Sequence, residues 1–234
     1  MPGRIAVTGH ELDRPTGPPH LQHPRFAKSY ARAVEVMNQR GATEHRRAAL
    51  SGLSGKVIEI GAGEGSAFGL YPSSVTEVLA VEPDDELRRL AKAKAVSAPV
   101  PVRVVAGAAE TIPAPNASAD AVVTSLVLCS VEDQAAVLAE IRRVLRPGGA
   151  LAYYEHVRSG HKVLAALQDL VTPAWQRLAG GCHPNRDTLQ AISSAGFTIR
   201  ENRRFGFSAG PLVPPVDHIL GHAIWPGDRQ GPGS

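Results

Sequence analysis

The residues best suited to chemistry lie in a few short stretches, the first being KVIEIGAGEG at 56–65. An apolar run, Val57-Ile58-Glu59-Ile60, breaks into glycines on alternate positions, Gly61, Gly63 and Gly65. A buried strand followed by a glycine turn can hold a nucleotide-like ligand, because glycine lets the backbone bend sharply and approach closely. The dinucleotide spacing GxGxxG is not met: the third glycine comes one residue early and Ser66 stands in its place. Glu59 adds a carboxyl inside the strand. Glu82, in VEPD, follows Gly61 by 21 residues, where an acid can accept hydrogen bonds from both hydroxyls of a ribose. His156 ends a later apolar run and is the best placed general base, with a structural histidine as the alternative. Cys182-His183 lies in a Gly-Gly turn that could touch substrate or simply precede a helix. Cys129 reads as packing. His218 and His222 read as structural, on one face of a strand away from the pocket. Nothing completes a site around His20 and His23, so no metal is expected.

The elements that must position these groups follow from periodicity. Arg25–Leu50 is helical, with Phe26, Tyr30, Ala33, Val34 and Met37 at helical spacing, and a second helix at Thr43–Leu50. It reads as a cover over one sheet edge or a lid (23–52) with Phe26 and Tyr30 facing the ligand. Strands are expected at 55–60, 77–81, 101–106, 119–125 and 150–155. Helices are expected at 84–95 and after Ser130-Val131-Glu132-Asp133, read as a capping box. Arg146-Pro147-Gly148-Gly149 stops the second of these helices. Strand and helix alternate four times, which is a doubly wound parallel sheet with its ligand at the C-terminal strand ends. Five stretches fall at that edge: Gly61–Gly65, Glu82, Ala108–Glu110, Ser125–Cys129 and Glu155–His156. Beyond it come a helix pair broken at Pro173 and carrying Trp175, a helix capped by Asn185 or Asp187, and strands at 196–202 and 216–224 forming an antiparallel hairpin.

The chain has 234 residues, 43% hydrophobic and 20% charged, with a net charge of +3. That is one α/β domain over 23–225, with a proline-rich disordered tail at 1–22 and a flexible end at 226–234. The mild charge gives no nucleic-acid footprint. Two cysteines cannot build a disulfide framework, so a reducing cytoplasm is expected, and no apolar run is long enough for a membrane anchor.

EIGAGEG, VEPD, GAAETIP, LVLCSVED, RRVLRPGGALAYYEHV and AGF together resemble the type-11 (UbiE-like) branch of class I methyltransferases that use S-adenosylmethionine (SAM). Within that branch LVLCSV, YEHV, the Trp175…Gly-Gly-Cys182 phrase and HILGHA are most similar to the alkyl-thiol methyltransferase group. The resemblance implies a doubly wound, seven-stranded Rossmann-like sheet with SAM as cofactor. It implies that Glu59, Gly61, Ala62 and Gly63 hold the methionine moiety. Glu82 would hold the ribose, Pro83, Ala108 and Ala109 would border the adenine, and Leu126 would contribute near the amino-acid end. Many relatives carry an aspartate at the position of Ala108, so the adenine amino group must be met here by the Ala109 backbone, by Glu110 or by nothing.

A sulfonium methyl is already activated, so such an enzyme need mainly align its acceptor. The N-terminal helices, Trp175 and the 180–184 turn are apolar, which points to a small hydrophobic acceptor, a thiol sulfur first. Oxygen, nitrogen or carbon of a quinone, phenol or lipid are the alternatives. No NPPY-like tetrapeptide follows the fourth strand, which argues against amino-group methylation of nucleobases or glutamine. An NAD(P)-binding oxidoreductase, disfavoured by the glycine spacing, and a SAM-binding protein without turnover are readings from other classes. Oligomeric state is not legible.

Overall fold

A computed structural model of the chain describes residues 17–210 and 214–227. Seven strands make one sheet: β1 (Gly55–Ile60), β2 (Val75–Val81), β3 (Val102–Val105), β4 (Ala119–Ser125), β5 (Leu145–His156), β6 (Thr198–Phe207) and β7 (Val216–Ile224). Their spatial order is β3-β2-β1-β4-β5-β7-β6. The first five are parallel, and β7 runs antiparallel between β5 and β6. The order reverses between β1 and β4, the switch point that opens a crevice at the C-terminal strand ends. The α-helices among the described residues are α1 (Pro24–Met37), α2 (Thr43–Leu50), α3 (Asp85–Ala95), α4 (Gln134–Val144), α5 (Lys162–Leu178) and α6 (Thr188–Ser194).

Burial on both faces explains the unbroken apolar character of the central strands. Ile58, Ile60, Val122, Leu151 and Tyr153 face a core shared with α4 and α6, while Val57, Val78, Val123 and Ala152 face the second, with Phe68 and Tyr71. The expected hairpin is present, with β7 inserted beside β5.

Several sequence expectations change in detail. Asp133, not Ser130, caps α4, its carboxylate accepting the N–H groups of Ala135 and Ala136. α5 is one helix that carries Pro173 internally. Strand β5 begins at Leu145 because Leu145 already pairs with Ala119, five residues ahead of the expected start. Of the two proposed caps for α6, Asp187 is the one used. Residues 17–22, expected within a disordered tail, are held against the end of β2. The Gln22 amide donates to Pro83 O at 2.8 Å and accepts from Asp85 N at 3.0 Å, and Gly17 N donates to Asp85 at 2.8 Å. Residues 1–16 and 228–234 lie outside the described residues. Among those described, no helix is long and apolar enough to cross a membrane.

Candidate active site

The glycine turn after β1 is built from backbone that L side chains rarely adopt. Gly61, Gly63 and Gly65 have φ of +62°, +58° and +85°. A Cβ on Gly61 would lie 2.6 Å from Val127 Cγ2, and one on Gly63 would meet the Tyr30 ring at 3.5 Å. The turn is therefore pressed between the loop after β4 and α1, and Tyr30 stands over it.

Glu82, at the end of β2, faces the same turn. Its carboxylate accepts the N–H of Gly63 at 2.8 Å and of Asp84 at 2.9 Å. Glu59 is buried in β1 and accepts from the Tyr71 hydroxyl at 2.9 Å. Burial pushes both carboxyls up to about 7, against the hydrogen bonds that favour their ionised forms. The Arg46 guanidinium of α2 is itself buried, is anchored to Asn38 Oδ1 at 2.6 Å, and bears electrostatically on Glu59, Tyr30 and Tyr154. Pro83 and the 108–110 turn flank this end, with Ala108 and Ala109 buried and Glu110 half-buried.

The loop after β4 carries the site's backbone outlier. Leu126 has φ +62°, the left-handed region that costs a leucine about 1–2 kcal/mol. Glu155 of β5 compensates from beneath. Its fully buried carboxyl accepts the N–H groups of Val127 (3.1 Å), Leu128 (3.0 Å) and Cys129 (3.1 Å). Burial raises this carboxyl above the usual range despite those three donors.

The same loop ends at a compact cluster. His156 Nδ1 lies 3.2 Å from Cys182 Sγ and 3.4 Å from Cys129 Sγ, and the two sulfurs are 3.7 Å apart. Both cysteines are free and buried. Burial pushes the Cys129 thiol up, while hydrogen bonding from Cys129 and then His156 pulls Cys182 down. The Trp175 indole contributes in the same direction. The 180–184 turn is tied to the loop because His183 N donates to Cys129 O at 2.7 Å. On the far side of His156 stands His218, with ring centroids 4.4 Å apart.

Of the residues selected by sequence, Gly61, Ala62, Gly63, Glu59, Glu82, Leu126, His156, Tyr30, Trp175, Cys182 and His183 all belong to this one edge. The side chain of Phe26 lies outside the described residues. His218 is a correction: the antiparallel register pairs it with His156, so it lies against the cluster and not away from it. His222, by contrast, sits deeper along β7 and meets Ala49 O at 2.8 Å. Cys129 is buried as expected, but beside a sulfur and an imidazole. Sequence reasoning missed the work of Arg46, Tyr71 and Glu155. An acid in an otherwise apolar strand, YYEHV, was the available signal for Glu155.

Comparison with known proteins agrees with this architecture. A family model described as a methyltransferase domain matches residues 58–153. Human thiol S-methyltransferase TMT1B is 35% identical over 183 residues, covering 75% of this chain and 73% of that protein. The ubiquinone/menaquinone biosynthesis C-methyltransferase UbiE of Shewanella oneidensis is 28% identical over 165 residues, covering 61% of this chain and 66% of its own. In fold, the chain is similar to a SAM-dependent methyltransferase from Thermotoga maritima, with TM-score 0.65 at 19% identity over 86% of this chain and 97% of that one. A Rossmann-like sheet with an acidic, glycine-lined crevice at its switch point thus defines a class I SAM-dependent methyltransferase. The chain belongs to the family that includes the TMT1 thiol S-methyltransferases, and SAM is its cofactor.

Proposed function

We propose that the enzyme methylates the sulfur of a small hydrophobic thiol. The observation that carries the reading is the Cys129–His156–Cys182 cluster at the crevice, in a chain 35% identical to a protein named for thiol S-methylation. The crevice suits the cofactor: Gly61 and Gly65 have no room for a Cβ, all three glycines of the turn have positive φ, and the buried carboxyl of Glu82 at the end of β2 is the acceptor for the ribose hydroxyls. Glu59 and the Gly61–Gly63 turn hold the methionine part, with Arg46 as the buried cation available to its carboxylate. Pro83, Ala108, Ala109 and Glu110 border the adenine, and Leu126 presents backbone near the amino-acid end. Tyr30, Trp175, Cys182 and His183 shape the acceptor side, together with Phe26. A cytoplasmic setting and a small-molecule partner, without nucleic acid, go with this reading.

SAM supplies a methyl already activated on a sulfonium. The chain's task is to orient the acceptor in line with that methyl and to take its proton. A free thiol of pKa about 8.5 is a few per cent thiolate at neutral pH, so modest help suffices. His156 is the proton acceptor in this scheme, held between the loop after β4 and the 180–184 turn. Incubation with methyl-labelled SAM and a panel of alkyl and aryl thiols, phenols, quinones and amines should give labelled thioethers. His156→Ala should lower kcat by about 100-fold, the low end for a general base, and leave SAM affinity unchanged. Label appearing only on oxygen, nitrogen or carbon would overturn the thiol assignment. An unaltered kcat in the variant would return His156 to structure.

A pH dependence follows from Glu59 and Glu82. Both protonate near 7 in the folded chain but near 4.5 when unfolded. Their contribution to stability is therefore greatest below pH 4.5, falls as pH rises to 7, and is constant above. Ribose hydroxyls and an ammonium favour the ionised carboxyls, so SAM affinity should be weaker at pH 6 than at pH 8 by about tenfold for each carboxyl, about 100-fold for both, with proton release on binding near pH 6.5. Calorimetry in two buffers of different ionisation enthalpy measures that release. A flat affinity with no released proton would contradict it.

A further inference from the structure

We propose that Cys129, His156 and Cys182 form a binding site for a thiophilic divalent cation, Zn²⁺ by the match of spacing and ligand type, and that filling it stops methyl transfer. Two sulfurs and one imidazole nitrogen, each able to give one ligand atom, lie within 4.8 Å of one another. A tetrahedral Zn²⁺ with Zn–S of about 2.3 Å and Zn–N of about 2.0–2.1 Å separates its sulfurs by about 3.8 Å and sulfur from nitrogen by about 3.6 Å. The edges here are 3.7, 3.4 and 3.2 Å, so an outward relaxation of a few tenths of an ångström would admit the ion. Both sulfur edges run to the same ring atom, Nδ1, as one shared ion requires.

The three donors come from three segments, and backbone hydrogen bonds tie those segments to one another. Cys129 is fixed through its own N–H on Glu155, at 3.1 Å. The Cys182 turn is tied by His183 N to Cys129 O at 2.7 Å and by Cys182 N to Ala179 O at 3.2 Å. The His156 ring is backed by His218 at 4.4 Å. Thiolate and imidazole donors select Zn²⁺ and other soft or borderline ions over Mg²⁺ and Ca²⁺. The indole Nε1 of Trp175 is buried, and the acceptor it bears on is the Cys182 sulfur. A metal-bound Cys182 thiolate keeps lone pairs that this N–H can meet. Among the described residues no fourth His, Cys, Asp or Glu joins the three, so the last tetrahedral corner is left to water or an exogenous sulfur.

A bound cation needs both sulfurs as thiolates, so binding displaces whatever protons the cluster holds, and it occupies the Nδ1 lone pair. That atom cannot then accept a proton from an acceptor thiol. The effect on turnover rests on the function proposed above; the binding does not.

Metal-free protein titrated with Co²⁺ should develop thiolate-to-metal charge-transfer absorption and tetrahedral d–d bands that saturate at one equivalent and are displaced by Zn²⁺. Cys182→Ser and His156→Ala, checked for folding by circular dichroism, should weaken binding by at least about 10–100-fold, the loss that even removal of an outer hydrogen-bond partner causes. One equivalent of Zn²⁺ should abolish thiol methylation, and a chelator should restore it. Absence of the charge-transfer band in the wild-type chain would overturn the site whether or not the variants fold. Binding unchanged in the folded variants would do the same, and bound Zn²⁺ with full turnover would overturn the switch. Stoichiometric binding by a chain that methylates no thiol would sink the acceptor assignment and leave the site standing.

Discussion

Replacement of Glu82 by alanine is expected to weaken SAM binding by two orders of magnitude or more while the chain remains folded. A charged acceptor meeting two hydroxyl donors supplies about 1.5–3 kcal/mol per hydrogen bond, and the alanine offers neither. The loss is larger than a contact count suggests, because Glu82 also accepts from Gly63 and Asp84. Without it two backbone N–H groups at the mouth of the crevice lose their acceptor, and the glycine turn loses its tie to β2. Glu82→Gln separates these roles. An amide oxygen can still accept from Gly63, so the turn should persist, but the amide cannot serve both hydroxyls as the carboxylate does. An intermediate loss, with the pH dependence of binding reduced, is expected for it. Titration calorimetry measures both variants. A Glu82→Ala chain that binds SAM with unchanged affinity would show that β2 does not carry the ribose contact.

The cofactor half of the crevice was legible because its logic is local. The glycines announce positive φ, and an acid at the end of the next strand needs only strand periodicity to be placed. The parallel order follows from alternation of strand and helix, and Gly55–Ile60, Thr43–Leu50 and Ala119–Ser125 were bounded to the residue. The acceptor half was less legible because it is assembled across the fold. Cys129 and Cys182 are 53 residues apart in sequence, and only the closure of the 180–184 turn onto the loop after β4 brings their sulfurs together. His218 reaches His156 through antiparallel register, which no local pattern specifies. Ser130 matched a capping box in composition, yet its hydroxyl turns back to Leu126 O at 3.2 Å, and Asp133 takes the cap. Pro173 predicted a break, but α5 continues through it, with Thr172 returning its hydroxyl to Gln168 O at 2.6 Å.

Glu155 is where the two halves meet, and its replacement by glutamine is expected to have the largest effect on stability and turnover together. One buried carboxyl gathers three consecutive N–H groups, from Val127, Leu128 and Cys129. Glutamine presents one oxygen and an NH₂ group to those donors, so at least one N–H must face another. Leaving buried donors unsatisfied costs about 1–3 kcal/mol each. At about 2–4 °C per kcal/mol for a chain of this size, Tm should fall by roughly 2–12 °C for each such loss. The consequence for turnover runs through Cys129, whose carbonyl accepts from His183 and whose sulfur meets His156. Freeing its N–H loosens the loop, the 180–184 turn and the imidazole at once. Cys129 and Cys182 are 0% and 3% exposed, so an aromatic disulfide reagent should reach them slowly in the wild-type chain and much faster in Glu155→Gln. Kcat should fall with that accessibility, and SAM affinity should fall less, because Glu82 is held by the N–H groups of Gly63 and Asp84 and not by this carboxyl. A Glu155→Gln chain with unchanged Tm, unchanged thiol protection and full kcat would mean that the loop after β4 is held by its own backbone and not from beneath.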